Sequence, residues 1–96
     1  MKNFIAIHKF HSDESKQECF KAMGAMAESE IAASMTGDAA ACQMTWHDGG
    51  LGMEMVCWWK AESADSIIHQ IGAMNDFFAT ECKELDHIMD FDAMRE

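Results

Sequence analysis

The hydrophobic pattern predicts a strand followed by a broken helix in the first third of the chain. Residues 3–10 read N-F-I-A-I-H-K-F, and their β-branched and aromatic content indicates a strand. Ser12 then stands at a helix N-cap position, with acids in the first turn where the helix dipole favours them. Apolar residues recur at steps of one, three or four as far as Met35, which predicts an amphipathic helix. Gly24 and the polar residues 28–30 favour a division of this helix into two pieces.

The rest of the chain predicts a hairpin, a second helix and a last strand. Residues 42–47 and 51–60 are strand-like, and Asp48-Gly49-Gly50 between them indicates a tight turn, because such turns need positive φ. Ser63 caps a second helix, and a last strand lies within residues 80–91. The order β-α-β-β-α-β predicts an α+β, ferredoxin-like fold for residues 1–96 as a single domain, with a four-stranded antiparallel sheet and both helices on one face.

This arrangement leaves the other face of the sheet uncovered. Two such sheets commonly pack face to face, so we expect a homodimer of the dimeric α+β barrel type.

Composition excludes several classes of partner. Seventeen acidic residues stand against seven basic ones in 96 residues, a net charge of −10, which argues against binding to nucleic acid or to an anionic membrane surface. We find no secretory signal and no apolar run of membrane-spanning length, so we expect a cytoplasmic protein. Its four cysteines are then expected to be free thiols, and the sequence contains no C-x-x-C pair.

Ten methionines and the stretch M-E-M-V-C-W-W-K at residues 53–60 raise the question of a soft metal site. A two-residue loop at Gly49-Gly50 would place Cys42 opposite Cys57, and Met44 opposite Met55. Sulfur ligands suit Cu(I) or Zn, and His8 on the neighbouring strand would add a nitrogen ligand. The alternative, which we favour for this sulfur-rich face, is an ordinary core under the helices.

The opposite face of the same hairpin predicts a pocket or an interface. Its residues mix polar and aromatic types: Gln43, Thr45, His47, Glu54, Val56 and Trp58. A His47–Glu54 pair suits a metal or an acid–base role, and the alternative is an interfacial hydrogen bond. We name as pocket candidates His47, Glu54, Trp58 and the neighbouring Trp46.

One segment resembles a known family. Residues 56–78 read V-C-W-W-K-A-E-S-A-D-S-I-I-H-Q-I-G-A-M-N-D-F-F, and they resemble the small ferredoxin-like proteins grouped around a bacterial nickel-binding protein. The matching positions are Cys57, Ala61, Glu62, Ile67 or Ile68, and His69. The resemblance implies a ferredoxin-like dimer and adds His69 to the candidate metal ligands, although helical periodicity places His69 away from the apolar stripe.

These observations favour a small dimeric binding protein for a transition metal (Ni, Cu(I) or Zn) or for a small apolar ligand. The candidate metal ligands are His8, Cys57 and His69. Two alternatives stay open: a cofactor-independent oxygenase-like enzyme with a Trp-lined pocket, and a non-catalytic interaction module. The common nucleophile, phosphate-loop, zinc-protease and dinucleotide motifs are absent from the sequence.

Overall fold

The computed structural model describes residues 1–85 and 87–96 and contains one antiparallel sheet with helices packed against it. In chain order the elements are β1 (Lys2–Phe10), α1 (Asp13–Gly24), α2 (Glu28–Ser34), β2 (Ala40–Trp46), β3 (Glu54–Ala61), α3 (Ala64–Ile71), a 3₁₀ turn (Gly72–Asp76), β4 (Phe78–Glu84) and α4 (Phe91–Met94). The strand order is β2-β3-β1-β4, with β1 antiparallel to both of its neighbours. This is the expected α+β architecture, consistent with a ferredoxin-like fold.

Local hydrogen bonds explain where the two longest helices begin. The Ser12 hydroxyl accepts from the Ser15 backbone N–H at 3.0 Å, and Ser15 Oγ accepts from the Ser12 N–H at 3.0 Å. Ser63 Oγ caps α3 by accepting from the Ser66 N–H at 3.1 Å. These caps, of which the Ser12–Ser15 pair is reciprocal, satisfy helix donors that would otherwise lack partners. The break after Gly24 falls where the sequence predicts it.

The core lies between the helices and one face of the sheet, which we call the inner face. From β1 and β3 it receives the alternating positions Phe4, Ala6, His8, Phe10, Met55, Cys57, Trp59 and Ala61. The helices contribute Cys19, Ile67 and Ile71, all buried. The buried side of the strands, formed by every second residue, therefore packs against the apolar stripe of the helices, as the sequence pattern indicates.

The connection between β2 and β3 is longer than the sequence predicts. Residues 47–53 form a loop, so the expected two-residue turn at Gly49-Gly50 is wrong, although both glycines adopt positive φ of 78° and 89°. Lys16 of α1 donates from Nζ to the carbonyls of Gly50 at 2.7 Å and Gly52 at 3.2 Å. These long-range bonds stabilise a loop conformation that competes with the tight turn.

The last strand also begins earlier than predicted, at Phe78 rather than near residue 80. Phe78 pairs with Phe10 on β1 and is 4% exposed, so burial of an aromatic side chain draws the strand start toward the core. The strand ends at Glu84, inside the range 80–91 that the sequence indicates, and the Leu85 N–H still donates to the Asn3 carbonyl of β1 at 2.9 Å. Among the described residues, no helix is both long and apolar enough to cross a membrane.

Candidate functional site

A β-bulge in β2 decides which side chains face the helices. Cys42 pairs with Trp59 of β3, but Met44 pairs with Trp58, so the register shifts by one residue between Cys42 and Met44. An extra residue in one strand reverses the facing of everything after it. The predicted Cys42–Cys57 and Met44–Met55 pairings are therefore wrong.

The reversal exchanges the side chains of β2 between the two faces. Thr45 now pairs with Cys57 on the inner face, whereas Met44 and Trp46 lie on the outer face and are 53% and 52% exposed. The prediction that Thr45 shares the outer face with Glu54 is wrong for the same reason.

The four predicted pocket residues do not form one site. Trp46, Glu54 and Trp58 do share the outer face. On β3, Glu54, Val56 and Trp58 point outward at every second position, and Trp46 of β2 pairs with Val56. His47 lies beside α1, with its ring centroid 5.3 Å from that of Phe20. Its Nδ1 accepts from the Gly49 N–H at 3.0 Å. His47 therefore belongs to the β2–β3 loop, and the predicted His47–Glu54 pair is not formed.

Of the three predicted metal ligands, two line the same cavity. His8 and Cys57 are both buried on the inner face, whereas His69 is exposed on α3 and does not line this cavity. Within residues 1–85 and 87–96, no group of three His, Cys, Asp or Glu side chains comes together as a metal centre.

The cavity lies between the inner face of the sheet and the helices. Its volume is about 80 Å³, measured as the space open to the centre of a water molecule. It is lined by Met23, Met26, Met35, Met55, Met74, Cys42, Cys57, His8, Thr45, Ile31, Ser34, Ile71, Trp59 and Phe78. Among the described residues, no carboxylate or ammonium group lines it, so the wall is apolar and rich in polarizable sulfur.

His8 gives this wall a neutral polar group. Its Nδ1 is 2.8 Å from Thr80 Oγ1, and its ring centroid lies 4.6 Å from that of Phe78. Burial lowers the pKa of His8 from its usual 6.5 to about 4, because a charged imidazolium loses its hydration there. At neutral pH the cavity wall is therefore uncharged at this position.

Cys42, Thr45 and Cys57 form a polar cluster on the part of the wall that β2 and β3 supply. Thr45 Oγ1 lies 3.1 Å from Cys57 Sγ and 3.6 Å from Cys42 Sγ. The neighbouring Cys57 and the Thr45 hydroxyl lower the pKa of Cys42, whereas the neighbouring Cys42 and burial raise the pKa of Cys57. Cys42 is therefore the sulfur that ionises first.

Trp59 supplies an unused donor beside this cluster. Its side chain is 1% exposed, and its indole N–H has no hydrogen-bond partner among the described residues. Cys42 and burial raise the pKa of Cys57, and the nearby Trp59 N–H acts weakly in the opposite direction. A buried donor without an acceptor costs about 1–3 kcal/mol, so an acceptor brought here by a ligand would recover that energy.

A second, more open groove adjoins the cavity beside α2 and β2. It shares four lining residues with the cavity, namely Ile31, Met35, Cys42 and Thr45. Cys42 therefore stands where the groove meets the cavity.

The sequence identified Cys57 and His8 but missed the part played by Thr45. A sign of the β-bulge would have placed Thr45 on the inner face. Residues 42–47 show no such sign, because apolar and polar residues alternate regularly there and no glycine interrupts them. The methionines of α1 and α2 were visible in the apolar stripe, but their convergence on one cavity depends on the turn between the helices.

Comparison with known proteins supplies no relative: no family model, no curated protein and no solved structure matches this chain.

Proposed function

We propose that the protein binds a small, mainly apolar and uncharged molecule in the methionine-lined cavity. The observation that carries this proposal is the cavity itself, which is apolar, partly enclosed and adjoined by a more open groove. Pockets for small molecules typically combine an apolar lining with a few polar groups that fix the orientation of the ligand.

The polar groups of the wall define the ligand further. His8 is neutral and already bonded to Thr80, so it offers no charge to an anion. The Trp59 N–H is a donor that lacks an acceptor, and the preferred ligand therefore carries one acceptor such as a carbonyl oxygen. A charged ligand would lose its hydration without gaining a counter-ion. Flexible methionines allow modest differences in ligand shape.

A titration followed by the methionine methyl signals in NMR tests this proposal. With cyclohexanone as the probe, we expect saturable shifts at cavity methionines such as Met35 and Met55. Ile31→Trp should fill the cavity where it adjoins the groove and abolish these shifts, whereas Ser29→Trp, on an exposed position of the same helix, should leave them unchanged. Equal shifts at the exposed Met44 would mean non-specific binding and would refute the proposal.

The same protein is proposed to be a homodimer through the outer face of its sheet. Ile5, Ile7, Val56, Trp58 and Trp46 form an apolar centre there. Three lysines (Lys9, Lys60, Lys83) and two glutamates (Glu54, Glu81) surround it, so this face carries a small positive charge on a chain with a net charge of −10. Two copies can therefore approach through this face without the repulsion that acts elsewhere.

Sedimentation analysis tests the dimer. Trp46→Glu places a carboxylate in the apolar centre and should convert the dimer to a monomer, whereas Gln17→Glu adds the same charge on exposed α1 and should not. A wild-type protein that sediments as a monomer would refute this proposal.

Copper(I) is the second candidate ligand, supported by the Cys42–Cys57 pair next to several thioethers. Nickel and zinc, suggested by the family resemblance, favour additional nitrogen or oxygen ligands, and His69 lies outside this cavity. A Cu(I) titration of the reduced protein against a competing chelator tests this candidate. Binding weaker than about 1 µM, or about −8 kcal/mol, would exclude it.

The oxygenase-like enzyme stays a prediction from the sequence. Trp46 and Trp58 line a groove of about 210 Å³ on the outer face, next to Leu85 and Ile88. That groove lies on the face that the second copy is proposed to cover.

A further inference from the structure

The Cys42–Cys57 pair has a chemistry that reversible binding does not use. Both thiols line the cavity, and the shared contact with Thr45 Oγ1 holds them on one part of the wall. Cys42 also lines the groove beside α2, so its sulfur borders both the cavity and that groove. Cys42, whose pKa is lowered, and Cys57, which keeps its proton, can therefore supply a nucleophile and an acid side by side.

We propose that the cavity captures α,β-unsaturated carbonyl compounds as covalent adducts on Cys42. This inference rests on the proposed function, because the compound must first enter the cavity. It names the class of ligand: an apolar body that carries an electrophilic carbon–carbon double bond and a carbonyl acceptor.

The addition balances without any further reactant. The Cys42 thiolate attacks the β-carbon, a carbon–sulfur bond forms, and the π electron pair moves to the α-carbon and the carbonyl oxygen as an enolate. The enolate α-carbon then takes the proton of the neighbouring Cys57 thiol. Cys57 recovers a proton from water, so the net change is the addition of one S–H across one C=C bond.

Neighbouring groups favour this reaction at Cys42 over the other thiols. The neighbouring Cys57 and Thr45 lower the pKa of Cys42, whereas burial alone raises the pKa of Cys19 and of Cys82. The Trp59 N–H beside Cys57 is the donor available to a carbonyl or enolate oxygen. Donation to an oxygen on which charge develops assists the step in which the C–S bond forms.

Intact-protein mass spectrometry with cyclohexenone as the probe tests the inference. We expect one adduct per chain, located at Cys42 by peptide mapping, with a rate that saturates as cyclohexenone is raised. Saturated cyclohexanone, which binds but has no double bond to attack, should slow the reaction competitively. Cys42→Ser should abolish the adduct, and Cys82→Ser, a half-buried thiol on the same sheet, should not change it.

Cys57→Ala separates the role of the second thiol. Loss of the Cys57 thiol should raise the pKa of Cys42, and the rate at neutral pH should fall several-fold because less of Cys42 is then ionised. Acrylamide, a small polar acceptor, provides the comparison for intrinsic thiol reactivity, and it should not show saturation.

Two results would overturn the inference. One is modification of Cys82 at a rate similar to that of Cys42, and the other is a rate linear in cyclohexenone and insensitive to cyclohexanone. If cyclohexanone shifts the cavity methionine signals but cyclohexenone forms no adduct, covalent capture is wrong and reversible binding stands. If neither compound enters the cavity, the proposed function fails as well.

Discussion

Acidification should destabilise this protein through one residue, His8. Its imidazole is 2% exposed, and burial lowers its pKa to about 4 from the value of 6.5 expected in the unfolded chain. Between these two values the unfolded chain binds more protons than the folded protein, so the free energy of unfolding rises with pH. The contribution is fully present above about pH 6.5 and is lost as the pH falls toward 4. At 1.36 kcal/mol per unit of pKa, the loss amounts to about 3 kcal/mol.

Urea unfolding followed by tryptophan fluorescence measures this loss. His8→Gln keeps a polar side chain opposite Thr80 but does not titrate, and the remaining ionisable groups are common to both proteins. We expect the difference in unfolding free energy between wild type and His8→Gln to fall by about 3 kcal/mol from pH 7 to pH 4.

A difference that stays constant over this pH range would refute the reasoning. The imidazole chemical shifts of the folded protein give the pKa of His8 directly, including the case in which His8→Gln does not fold. A His8 pKa near 6.5 would mean that the imidazole is hydrated in the folded state, contrary to its burial.

Three further predictions concern stability, measured by the same unfolding assay. Ile67→Ala empties a fully buried position in α3 and should lower the free energy of unfolding by about 2–5 kcal/mol. Ile68→Ala, on the 37% exposed neighbour, should lower it by less than about 1 kcal/mol. Equal losses would mean that the buried stripe of α3 is assigned to the wrong residues. Gly50→Ala should lower the free energy of unfolding by about 1–2 kcal/mol, because φ is +89° and the new Cβ would lie 3.3 Å from the Phe20 ring of α1. The Cβ of Gly24→Ala meets no atom within 4 Å, so this substitution should be neutral or stabilising. Thr80→Val removes the partner of the buried imidazole and should cost about 1–3 kcal/mol; a neutral result would mean that water replaces the hydroxyl.

The β2 bulge shows how one residue changes a functional assignment. Alternation along residues 42–47 predicts Cys42, Met44 and Trp46 on one face, and the structure keeps only Cys42 there. Thr45 turns inward and completes the cluster with Cys57, while Trp46 turns outward onto the proposed dimer surface. The local sequence is compatible with either register, and the choice depends on how β2 pairs with β3 and packs under the helices.

The loop between β2 and β3 likewise has a conformation that the local sequence does not determine. Asp48, Gly49 and Gly50 have the conformational freedom of a tight turn, and the glycines do adopt positive φ. The longer loop is stabilised by the Lys16 ammonium, which lies more than thirty residues away in sequence and donates to two loop carbonyls. A contact of this separation leaves no trace in the local pattern.

The sequence by itself determined the properties that arise from local chemistry and periodicity. Capping residues defined where α1 and α3 begin, and the alternation of β1 and β3 specified the buried set around Trp59. Only the tertiary structure decided which β2 side chains join that set and that methionines from separate elements converge on one cavity with His8. The physical reason is that facing in a strand depends on register, and register is fixed by pairing and packing between segments distant in the chain.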